Sequence, residues 1–67
     1  MNQSPQHLIK LLEKNGFIFK RSNGSHQIFY NASANITVIV PVHGKKDVKK
    51  GTLLAILKQA GIDKNYI

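Results

Sequence analysis

A histidine set close to fixed cations is the part of this 67-residue chain best equipped for chemistry. His26 directly follows Asn23-Gly24-Ser25, with Lys20 and Arg21 a few positions earlier. Imidazole is the one side chain whose ordinary titration falls near neutral pH, so His26 can serve as a general acid or a general base. Farther along, Val42-His43-Gly44-Lys45-Lys46-Asp47-Val48-Lys49-Lys50-Gly51 carries four lysines, one acid and a second histidine. Where such a stretch leads into a helix, the lysines and the free N–H groups of the helix start together favour a phosphate. The plainer alternatives are a hairpin-end histidine of no special role and a solvated connector. Metal-assisted chemistry has little to draw on. Two-metal sites rely on clustered carboxylates, whereas Glu13, Asp47 and Asp63 are the only acids and fall on three separate segments, so no metal is expected. Cysteine is absent, which excludes disulfides, thiol nucleophiles and thiolate-bound zinc, and agrees with a reducing compartment.

Charge points outward, to partners. Ten Lys and Arg against three acids leave a net charge of +7. On so small a surface that imbalance favours a polyanion, either nucleic acid or an acidic protein. A chain of this length makes one domain, residues 1–67, and buries only about 60% of the surface its unfolded form exposes, so its stability should be modest. The longest apolar run, residues 38–42, includes Pro41 and is far too short to span a bilayer. Met1-Asn2-Gln3-Ser4 lacks the basic-then-apolar pattern of an export signal. A cytoplasmic protein with no membrane partner is therefore expected.

The elements that must position His26 are a hairpin and what packs on it. Asn-Gly between runs rich in β-branched and aromatic residues is the strongest short hairpin signal, because a type I′ turn needs φ > 0 at both central positions. With Asn23 and Gly24 as the loop, Ser22 pairs with Ser25, Arg21 with His26, Lys20 with Gln27 and Phe19 with Ile28. Alternation then puts His26, Ile28 and Tyr30 on one face with Arg21, Phe19 and Phe17. The aromatics mark that face as core, with His26 and Arg21 at its wet margin. Phe29 and Tyr30 read as core residues ahead of base-stacking ones. The strands span residues 17–22, 25–31 and 36–40, the last two joined by the small polar turn at 32–35, and Pro41 makes the third an edge or an exit.

Two helices flank this meander. Ser4 caps the first and Pro5 suits its first position. Leu8, Ile9, Leu11 and Leu12 form its apolar stripe, and Gly16 ends it so that Phe17 folds back on Leu12. His7, in the first turn, reads as a surface residue. Residues 52–60 form the second helix, closed by Gly61 and by Ile62 packing on Leu57. The tail, residues 63–67, is expected to be loosely held. The order α-β-β-β-α predicts an α+β domain, a three-stranded antiparallel sheet with both helices on one face. Double-stranded-RNA-binding domains share that order, a fold-level analogy that settles no function.

Four pieces of the chain go further than composition. Leu-Glu-Lys-Asn-Gly-Phe at 12–17, Asn-Gly-Ser-His at 23–26, Val-Pro-Val-His-Gly at 40–44 and Lys-Lys-Gly-Thr-Leu-Leu-Ala-Ile-Leu-Lys-Gln-Ala-Gly-Ile at 49–62, in this order, resemble the HicA toxins. These are the RNA-cleaving halves of type II bacterial toxin–antitoxin pairs. In that family the histidine of Gly-Ser-His is catalytic, which carries over to His26. Many members have a second histidine next to it, where this chain has Gln27. The resemblance implies a metal-independent endoribonuclease that cuts mRNA, uses no cofactor and is silenced by a HicB-type antitoxin. RNA is cleaved without metal when a base takes the 2′-hydroxyl proton, the oxygen attacks the adjacent phosphorus, and an acid protonates the departing 5′-oxygen. Cations then offset charge on the phosphoryl oxygens. Lys20, Arg21, Gly24, Ser25, Lys45, Lys46, Lys49 and Lys50 are the expected RNA-binding residues, and His43 is the candidate auxiliary group. The competing reading is a non-catalytic RNA-binding or ribosome-associated module with the same basic surface.

Overall fold

A computed structural model describes residues 2–63 and 65 of the chain. Of the expected loose tail, Lys64, Tyr66 and Ile67 lie outside the described residues. The elements follow in the order α1 (Pro5–Lys14), β1 (Ile18–Asn23), β2 (His26–Asn31), β3 (Ile36–Pro41) and α2 (Lys50–Ala60). The three strands form one antiparallel sheet in the order β1-β2-β3. The α+β class and the order read from the sequence both hold.

Both ends of α1 and the C-terminal end of α2 fall where capping chemistry sets them. The Ser4 hydroxyl accepts from the His7 N–H at 3.2 Å, satisfying one of the donors that a helix start leaves free. At the other end of α1, Gly16 takes φ 89, a conformation that a side chain would strain. The turn this permits lets the Phe17 N–H reach the Leu12 carbonyl at 3.0 Å, and the Phe17 ring is buried. The same device closes α2, where the Ile62 N–H donates to the Leu57 carbonyl at 2.9 Å. Helix α2 begins two residues earlier than residue 52, because Lys50 and Gly51 already belong to its first turn.

Leu8 and Leu12 of α1, Leu53 and Leu57 of α2, and Phe29, Val38 and Val40 of the sheet belong to a single buried cluster. Each such large side chain contributes about 1.5–3 kcal/mol when taken from water. Both helices therefore cover the same face of the sheet, with α2 packed chiefly on β3. Two side-chain bonds tie helices to strands: Gln59 Nε2 donates to the Thr37 carbonyl at 3.0 Å, and Asn31 Nδ2 to the Asn15 carbonyl at 3.1 Å.

The hairpin departs from the expected register by a turn type. Of residues 23–25 only Gly24 has positive φ, at 62, so Gly24-Ser25 forms the loop in the manner of a type II′ turn and Asn23 pairs with His26. Arg21 consequently faces Ile28, not His26, and becomes a diagonal neighbour of the histidine, about 7–8 Å away at the backbone. A bulge at Lys20 shifts the ladder again, so that Phe19 pairs with Phe29 and Ile18 with Tyr30. The expected core face is also reversed. Phe29 points inward at 1% exposure, so His26, Ile28 and Tyr30 lie on the face that neither helix covers. His7 differs as well: it is half-buried, and its Nε2 is shielded from solvent with no hydrogen-bond partner among the described residues.

Candidate nucleic-acid interface

Because cross-strand partners share a face, the open side of the sheet can be laid out in rows. Asn23, His26 and Pro41 form the row at the hairpin end. Arg21, Ile28 and Ile39 form the next, with Lys20 beside them. Ile18, Tyr30 and Thr37 form the third. A bulge adds a residue without advancing the partner strand, which is why the consecutive Lys20 and Arg21 can both line this face. His26 is exposed, and its ring makes no hydrogen bond to any described residue.

Two clefts adjoin it. The first, of about 300 Å³, lies on the sheet itself and is lined by Lys20, Arg21, Ile28, Tyr30 and Thr37. Tyr30 donates its hydroxyl to Asn35 Oδ1 at 3.0 Å, which orients the ring, and the Lys20 ammonium lies 5.7 Å from the ring centroid. At an exposed site that cation–π contact contributes about 0.5–1 kcal/mol, little enough for a better-matched planar group to displace it. The second cleft, of about 460 Å³, lies where the basic loop meets α2 and is lined by Pro41, His43, Lys46, Asp47, Val48, Lys49 and Thr52. Helix α2 starts there with no side-chain cap on its N–H groups and no acid in its first turn. Free N–H dipoles and lysines of one sign make this a favourable place for a phosphate group, with Asp47 the one opposing charge.

His26 lines neither cleft but neighbours a residue of each within the sheet. Its cross-strand partner Pro41 lines the loop cleft, and Ile28, next to it on the same face, lines the sheet cleft. The ladder continues one step past this row, the Val42 N–H donating to the Ser25 carbonyl at 2.7 Å, so Ser25 anchors the start of the basic loop. Gly24 is exposed at the tip of the hairpin.

The expected RNA-binding residues are thus divided. Lys20 and Arg21 stand at one cleft, Lys46 and Lys49 with His43 at the other, and Lys45 and Lys50 are exposed without lining either. Among the described residues no three His or acidic side chains converge as metal ligands.

Sequence reasoning missed what holds the loop. Val48 is buried at 3% exposure, its N–H donates to the Gln3 carbonyl at 2.8 Å, and Gln3 Nε2 donates to the Val48 carbonyl at 2.9 Å. These contacts pin a stretch that reads as a solvated connector. A lone valine between lysines was the available signal. Thr37, Thr52 and the outward position of Tyr30 had none.

Over residues 5–62 the chain matches the family model described as the HicA toxin of bacterial toxin–antitoxin systems. No match was found among curated proteins.

Proposed function

Because this chain belongs to the HicA toxin family, it is the toxin of a bacterial toxin–antitoxin pair, and we propose that it is a metal-independent endoribonuclease acting on mRNA, with His26 as its catalytic histidine. The observation that carries this reading is the exposure of His26 on the uncovered face of the sheet, with cations at the clefts on either side. A histidine sealed in the core or tied up by a hydrogen bond could not reach a ribose-phosphate linkage, whereas His26 is exposed and bonds to no described side chain.

In the reaction, the His26 imidazole takes the proton of a ribose 2′-hydroxyl as that oxygen attacks the adjacent phosphorus. The bond to the 5′-oxygen breaks as a proton reaches it, leaving a 2′,3′-cyclic phosphate on one fragment and a 5′-hydroxyl on the other. His43, exposed on the loop cleft, is the candidate donor of that proton. Lys20 and Arg21 on the sheet and Lys46 and Lys49 on the loop, with the exposed Lys45 and Lys50, draw in the phosphates of the RNA strand and offset negative charge along it, and the backbone at Gly24 and Ser25 lets the strand approach closely. The inhibitor is a HicB-type antitoxin covering this region, and an acidic surface on it would complement the net charge of +7.

Replacing His26 tests the assignment. His26→Ala, assayed on a defined single-stranded RNA in EDTA, should lose cleavage by at least about 10²-fold while binding stays within a few fold. Undiminished cleavage by the variant removes His26 from the chemistry. A wild-type protein, freed of antitoxin, that binds RNA without cutting it is instead a non-catalytic RNA-binding module.

A further inference from the structure

We infer that the cleft on the open sheet face is a nucleobase subsite, in which Tyr30 stacks on one unpaired base of the RNA while Lys20 and Arg21 hold an adjoining phosphate. The inference rests on the RNA-cleaving reading of His26 and adds to it the surface along which the substrate lies.

Position supports it first. Residues 26, 28 and 30 alternate onto the same side of β2, so Tyr30 lies roughly 13 Å along the strand from His26, on the face that neither helix covers. An RNA strand laid along β2 with a phosphodiester at the histidine passes over the tyrosine. Sequence-specific recognition of RNA works mostly on unpaired bases, stacked on aromatic side chains and flanked by cations.

Chemistry supports it next. The ring is held in orientation by its bond to Asn35, itself fixed in the turn at φ 54, so it is prepared as a platform before any ligand arrives. The Lys20 ammonium lies over the ring, 5.7 Å from its centroid, so the face a base would take is the one this cation now holds. Displaced by a base, that ammonium has a phosphate to move to. The cleft is lined by two cations, Lys20 and Arg21, the hydroxyls of Tyr30 and Thr37, and Ile28, with no carboxylate among them. Its volume of about 300 Å³ sits at the small end of ligand sites. One planar heterocycle suits that volume, whereas a docking helix or loop of a protein partner would need a longer groove.

The experiment uses the full chain with His26→Ala, so that a short single-stranded RNA stays intact while fluorescence anisotropy reads its Kd. Adding Tyr30→Leu should raise Kd about tenfold, and Tyr30→Phe, which keeps the ring, should stay within about twofold. With Tyr30 left in place, a scan of single abasic nucleotides along the same RNA should find one position with a similar loss. On that abasic RNA Tyr30→Leu should cost nothing more, as a double-mutant cycle demands of a direct contact. An abasic scan with no sensitive position overturns the subsite, and it does so without depending on how any Tyr30 variant folds. Tyr30→Leu that leaves RNA affinity unchanged but weakens capture by the antitoxin overturns it too, by making the face a protein dock. RNA binding and cutting that ignore Tyr30 defeat the subsite alone. A protein that neither binds nor cuts RNA defeats the nuclease reading and the subsite together.

Discussion

Phe29 and Tyr30 are neighbours in β2 and meet opposite surroundings. Phe29 is 1% exposed, closed in by the leucines of α1 and α2, while Tyr30 stays half-buried on the face that the helices leave open. The same contrast runs through β3, where Val38 and Val40 are fully buried and Ile39 between them is 51% exposed. Ile18, on the edge strand, is 58% exposed on that open side. One face of the sheet is apolar because folding requires it. The other carries Ile18, Ile39 and Tyr30 beside Lys20 and Arg21, an apolar and cationic composition that suits a partner. On the proposed reading, stability and recognition fall to opposite sides of one sheet only three strands wide.

If that division holds, substitutions on the two faces should separate cleanly. The largest effect belongs to Phe29→Ala, which removes a buried aromatic and should cost about 3–5 kcal/mol, most or all of the stability of so small a domain. Urea denaturation followed by circular dichroism would read it, and a midpoint like that of the wild type would mean that the helices do not close on this face. Next comes the loop. Changing Lys45, Lys46, Lys49 and Lys50 together to Ala should leave folding intact, since all four are exposed, while flattening the log–log salt dependence of RNA binding by about 0.7 for each phosphate no longer neutralised. An unaltered slope puts the RNA elsewhere. The smallest effect should be Ile39→Thr, within about 0.5 kcal/mol of wild-type stability, whereas Val38→Thr one residue away buries a hydroxyl and should cost about 1–3 kcal/mol. Equal costs at the two positions would erase the distinction between the faces.

Much of the proposed site was legible from local chemistry. Asn23-Gly24-Ser25-His26 signals a tight turn with a histidine at its exit, and a turn of some type is there because glycine alone adopts the required φ without cost. The lysines announce themselves by composition. What could not be read was how the cations divide between two clefts. That division depends on the bulge at Lys20, which turns Lys20 and Arg21 to one side, and on the Gln3–Val48 bonds, which join residues 45 positions apart. No local signal encodes a contact of that separation.

Capping residues, turn formers and apolar spacing act over a few positions, so the sequence alone determined the number, kind and order of the elements, together with the basic loop and the exposed-turn histidine. It could not determine which side of the sheet faces the helices. Ile28-Phe29-Tyr30 and Ile36-Thr37-Val38-Ile39-Val40 carry apolar groups at both phases of the strand, and a run without alternation has no preferred inside. The leucines of α1 and α2 made that choice when they closed over Phe29, Val38 and Val40, and so left His26 and Tyr30 together on the open side.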